Sequence, residues 1–130
     1  MHVGAPLELD PDAIRQLVRE LGISRPLNIT ARRGPFVKKC SCPDPTHTGR
    51  RFIGFHTVRD GEHRIEVDVT RSREDVTYTL AHELAHAAQW ERGEQQRHDN
   101  TLVYRANPRE ADADAFAASV VQRGRRLVKS

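Results

Sequence analysis

Apolar residues recur along this chain with two periods, and the periods assign its elements. Ile14, Leu17, Val18 and Leu21 fall at i, i+3, i+4 and i+7, lining one stripe of a helix. Asp10 stands where an N-cap belongs, Pro11 suits the first helical position, and Gly22 suits a left-handed exit. Leu27, Ile29 and Ala31 then alternate with polar residues, as in a half-buried strand. The stretch 40–49 holds two prolines among Ser, Asp, Thr and Gly, and reads as a loop.

Two strands follow, over 51–59 and 62–70. Asp60-Gly61 joins them, a pair that tolerates the positive φ values of a tight hairpin turn. Ile65, Val67 and Val69 share one face of the second strand, and Glu66 and Asp68 the other. A second helix is capped by Ser72, with Asp75 approximating the partner of a capping box, and runs to about Arg92 before Gly93. A third starts at Pro108 behind Asn107, runs to about Arg123 and stops at Gly124. The order of elements predicts an α+β fold with a small sheet, one domain over 1–130.

Composition narrows the class. At 130 residues, 37% hydrophobic and 30% charged, the chain supports one modest core. No window approaches the ~18 apolar residues of a membrane helix, and 1–9 lacks the pattern of an export signal, so a cytoplasmic protein is expected. Cys40 and Cys42 do not make a disulfide framework. The net charge of +3 comes with basic pairs scattered at Arg32-Arg33, Lys38-Lys39, Arg50-Arg51 and Arg125-Arg126, and aromatic residues are only 5%. Nucleic acid is therefore disfavoured as a partner.

The chemistry lies in His82-Glu83-Leu84-Ala85-His86. Histidines four apart project from one helix face, close enough to grip one cation, and zinc suits two neutral imidazoles. Glu83 sits about 100° round the helix, on the flank of that face, where a general base belongs. Leu80 and Leu84 point the other way, into the core. The third ligand is open on this reading. Glu110 is the first choice, with Asp114 one turn on to orient a histidine; its rival role is a cap paired with Asn107. Asp112 points to the other side, and His98 could reach back from a polar loop. Cys40, Cys42 and His47, with His56, form a weaker candidate for a second zinc site. His56 and His63 otherwise read as cross-strand neighbours, and Trp90 as a core or rim residue.

The segment from Thr79 through His82-Glu83-Leu84-Ala85-His86 to Gln89 resembles the active-site helix of zincin metallopeptidases. Tyr104 with Asn107-Pro108-Arg109-Glu110-Ala111, then Phe116-Ala117, resembles the second-helix signature of small gluzincin-like proteins, including the ImmA/IrrE-type group. That group often has Glu-Ala-Asp-x-Phe-Ala; here two more residues precede Phe116, which keeps Asp112 and Asp114 beside Glu110 as alternatives. SprT-like proteins take a histidine as third ligand, which keeps His98.

The resemblance covers about 62–123 and implies a minimal zincin-like domain with a twisted sheet and hairpin packed on the active-site helix. It implies zinc held by His82, His86 and Glu110, with Glu83 as general base of a peptidase. It further implies a peptide bound along the strand before the helix, for which 62–70 is the candidate, and Tyr78 or Tyr104 as an oxyanion donor or a packing residue. The short chain favours a restricted protein or peptide substrate over broad digestion. The rival reading is a non-catalytic zincin-scaffold module that binds a protein or nucleic acid.

Overall fold

The computed structural model describes residues 7–33, 36–38, 50–52, 54–93 and 108–129, with the backbone alone at 36–38 and 50–52. Helix α1 (Pro11–Leu21) starts where Asp10 accepts hydrogen bonds from the amides of Asp12 and Ala13, and ends at Gly22 with φ 73°. Its apolar stripe buries Ile14 and Leu17, with Val18 and Leu21 half-buried against the core.

Strand β1 (Leu27–Arg32) runs parallel to β5 (Glu62–Asp68), and β4 (Gly54–Arg59) pairs antiparallel with β5 on its other side. The sheet order is β1-β5-β4, so β5 is central. The β4–β5 turn is as expected: Asp60 has φ 52° and Gly61 φ 76°. The expected strand over 51–59 is divided. Its beginning belongs to β3 (Arg50–Phe52), which pairs antiparallel with β2 (Phe36–Lys38) in a separate two-stranded sheet. The expected strand over 62–70 ends at Asp68, whose carboxylate accepts from both the amide and the hydroxyl of Thr70 and turns the chain.

Helix α2 (Arg73–Glu91) begins at Ser72, whose hydroxyl accepts from the Asp75 amide. It is the central element: of residues 76–89 all but Tyr78 are buried. Leu80 and Leu84 pack with Ile14 and Leu17 of α1, Ile65 of β5, and Ala117 and Val120 of α3 (Pro108–Gln122). The small side chains of Ala81 and Ala117 in this cluster suit a close α2–α3 approach. After α3 and Gly124 (φ 72°), the chain returns to the start of α1. Leu9 bridges Val128, Asp10 N donates to Leu127 O, and Leu127 N donates to Thr77 Oγ1. The architecture is α+β, as the sequence predicts. Among the described residues no helix is long and apolar enough to cross a membrane.

Candidate metal centre

One turn of α2 separates His82 from His86, and their rings meet edge to face with Nε2 atoms 3.0 Å apart. Glu110, in the first turn of α3, places Oε1 at 3.1 Å from both nitrogens, and Oε2 at 2.8 Å from His86 Nε2. Three donor atoms thus form a nearly equilateral triangle. Donors on a tetrahedral zinc ion, with bonds of about 2.0–2.1 Å, lie about 3.3 Å apart, so the triangle fits one face of such a site. Among the described residues these three make the only group of three or more His, Cys, Asp or Glu whose ligand atoms all lie within 4.8 Å of one another.

Protons alone satisfy this triangle poorly. If one Nε2 donates to the other, the acceptor has no hydrogen left for Glu110; if both donate to Glu110, two N–H groups crowd at 3.0 Å. A cation facing three lone pairs resolves the conflict.

The back of the His86 ring favours its lone pair. Gln89, one turn after His86, donates its amide nitrogen to Arg109 O at 2.9 Å, which leaves its Oε1 as the atom 2.9 Å from His86 Nδ1. That oxygen only accepts, so Nδ1 carries the hydrogen and Nε2 is bare in the neutral ring. On His82, Nδ1 lies 2.9 Å from Asp114 Oδ1, within ion-pair reach but out of line for a hydrogen bond. Tyr78 lies stacked on His82 at 6.3 Å between ring centroids, and its hydroxyl donates to the same Asp114 oxygen at 3.0 Å.

The electrostatics favour positive charge. Burial pulls the His82 pKa down, but the hydrogen bond to Glu110 and the charges of Glu83, Glu110 and Asp114 outweigh it, and the net shift is upward. Tyr78 is pushed up to about 12, first by burial and then by Asp114 and Glu110, so it stays a phenol and a donor.

Glu83 is 8% exposed and faces the sheet side of α2. A Cβ added to Gly54 would lie 3.7 Å from Glu83 Cγ, 3.1 Å from Glu66 O and only 2.5 Å from Thr79 Cγ2. Glycine at this position lets β4 approach the helix beside Glu83.

The structure brings together His82, His86 and Glu110, with Asp114 behind His82, while Asp112 stays exposed and outside the group. His98, Tyr104, Asn107, Cys40, Cys42 and His47 lie outside the described residues. Trp90 is a rim residue, half-buried, with the Arg25 guanidinium 5.0 Å above its ring. Tyr78 directs its hydroxyl to Asp114. The strand proposed to carry a peptide needs correction. β5 is hydrogen-bonded on both sides, by β1 and β4, and has no edge to offer. Sequence reasoning missed Gln89 and Gly54. The i, i+3 spacing of His86 and Gln89 was a usable signal; the closeness of Gly54 to α2 is a tertiary fact with none.

No protein-family model and no curated protein matches the chain.

Proposed function

We propose that this chain is a zinc-dependent metallopeptidase of the zincin type, acting on a restricted protein or peptide substrate. The observation that carries the reading is the convergence of His82 Nε2, His86 Nε2 and Glu110 Oε1, with the Nδ1 atoms of both rings backed by acceptors. Those three residues would hold the ion. Zinc, when bound, supplies Lewis acidity toward a carbonyl and lowers the pKa of water.

The chain's own residues supply the rest. Glu83 Oε accepts a proton from the attacking water and delivers it to the leaving amine nitrogen. Its side chain is buried beside Gly54 of β4, and its charge acts on His82. Gln89 and Asp114 hold the two imidazoles in orientation, and Tyr78 holds Asp114. An extended peptide would pair with β4, which uses one edge on β5 and lies against Glu83 through Gly54.

The test is cleavage of a peptide library by zinc-loaded protein and by its Glu83→Gln variant. Cleavage by the parent alone, with equal zinc in both, supports the peptidase. Equal zinc with no cleavage by either points to the non-catalytic module.

A further inference from the structure

Two of the three residues in the candidate centre stand on α2 and the third on α3. The helix itself sets His82 against His86, one turn apart on one face. Glu110 is different: its place depends on how the first turn of α3 is held to α2. The apolar cluster shared by the two helices lies further along, where Leu80, Ala81 and Leu84 meet Ala117 and Val120, about two to three turns past Glu110. Of the buried residues of α3 only Ala113 lies nearer.

Gln89 holds that first turn. Its amide nitrogen donates to Arg109 O at 2.9 Å, and this carbonyl belongs to the peptide bond that joins Arg109 to Glu110. At its other end, Oε1 accepts from His86 Nδ1 at 2.9 Å. A regular helix turns one lone pair of Arg109 O toward the amide of Ala113; the second is the one that Gln89 uses. Gln89 is 2% exposed, a depth at which an amide is tolerated when both its ends are paired, as here. His86 Nδ1 is the back of the ring and Arg109 O is main chain. Neither contact uses an atom that faces the ion, so the bridge stands with or without it.

We infer that Gln89 is a positioning residue for the third ligand as well as for His86: one buried amide spans α2 and α3 and sets Glu110 against His86 before any ion arrives. This role presupposes the zinc site proposed for His82, His86 and Glu110. Helix ends have few hydrogen bonds of their own, so without the bridge the first turn of α3 frays and carries Glu110 with it. The two ends of the amide are separable. Gln89→Leu removes both contacts, whereas Gln89→Glu keeps an acceptor for His86 Nδ1–H and sets an oxygen against Arg109 O.

The test uses the whole chain, first without metal and then with zinc. Long-range proton–nitrogen NMR at pH 8 reads the His86 tautomer. Amide exchange at Ala113 and Asp114 reads the first turn of α3, because those amides close on Arg109 O and Glu110 O. The metal-free parent should show His86 Nδ1–H and both amides protected. Gln89→Leu should mix the tautomers and lower protection at Ala113 and Asp114 by about tenfold, with Val120 and Val121 unchanged. Gln89→Glu should keep the Nδ1–H tautomer and still lose the protection. Zinc should restore protection in both variants, since the ion ties Glu110 to the histidines directly. Unchanged protection in either metal-free variant, or a loss spread equally along α3, would overturn the bridge. A parent that takes up no zinc would overturn the metal centre instead, and the metal-free readings would still decide whether Gln89 holds Glu110 to His86.

Discussion

Gln89 Oε1 lies 2.9 Å from His86 Nδ1 while the other end of the same amide is spent on Arg109 O. The pairing fixes which nitrogen of His86 bears its hydrogen, and with it which lone pair faces His82 and Glu110. Gln89→Leu should lower zinc affinity by about 10–100-fold, measured by competition with a chromophoric chelator, with helix content unchanged. Gln89→Glu keeps an acceptor at Nδ1 but turns its other oxygen against Arg109 O, so its affinity should fall between those of the parent and Gln89→Leu. A Gln89→Leu variant that binds zinc as tightly as the parent would contradict the role given to this hydrogen bond.

Asp114 faces His82 Nδ1 at 2.9 Å and is held by Tyr78, so it acts on His82 through charge rather than through a hydrogen bond. Asp114→Ala is expected to weaken zinc binding by about 10–100-fold, and Tyr78→Phe by less, because the carboxylate remains. The same competition titration ranks them. A larger effect from Tyr78→Phe than from Asp114→Ala would contradict this order.

Gly54 is the close-approach point of β4 on α2, and an added methyl would meet Thr79 Cγ2 at 2.5 Å. Gly54→Ala should destabilise the fold by about 1–3 kcal/mol in urea unfolding. Thr79→Ala should recover part of that cost, giving a coupling of at least ~0.5 kcal/mol in a double-mutant cycle. Strict additivity would mean that the strand does not sit this close to the helix.

Acid should loosen the C-terminal end of α2. Glu91 is held at about 2: burial pushes its pKa up, but hydrogen bonds from Ser24, His63 and Arg25 more than reverse this. A carboxylate depressed in the fold contributes stability that is complete above its unfolded value of 4.5 and lost as pH falls toward 2. Stability of the parent should therefore drop across that window more steeply than that of Glu91→Gln, as followed by chemical denaturation at each pH. Parallel slopes would contradict the assignment.

What the sequence made legible was local. Asp10 and Gly22 bound α1, Asp60-Gly61 turns the hairpin, and the spacing of His82 and His86 gives one face of α2, because each rests on neighbours within a turn. Glu110 was reachable through its place in the first turn of the next helix. The central position of β5 was not, since the parallel pairing of Leu27–Arg32 with residues over thirty positions away leaves no mark on either segment. An alternating strand reads the same at an edge or in the middle. The contact of His63 Nε2 with Glu91 Oε2 at 2.6 Å was hidden for the same reason: only packing of the hairpin on the end of α2 brings a strand histidine to a helix glutamate.

The coordination of zinc itself tests the account most directly. X-ray absorption on protein loaded with one equivalent should show two imidazole nitrogens and oxygen ligands at about 2.0–2.2 Å, with the imidazole signal reduced in His82→Ala and in His86→Ala and the affinity sharply reduced in Glu110→Ala. Sulfur scattering at about 2.3 Å, placing the ion on Cys40 and Cys42, or a Glu110→Ala variant that binds as tightly as the parent, would contradict it.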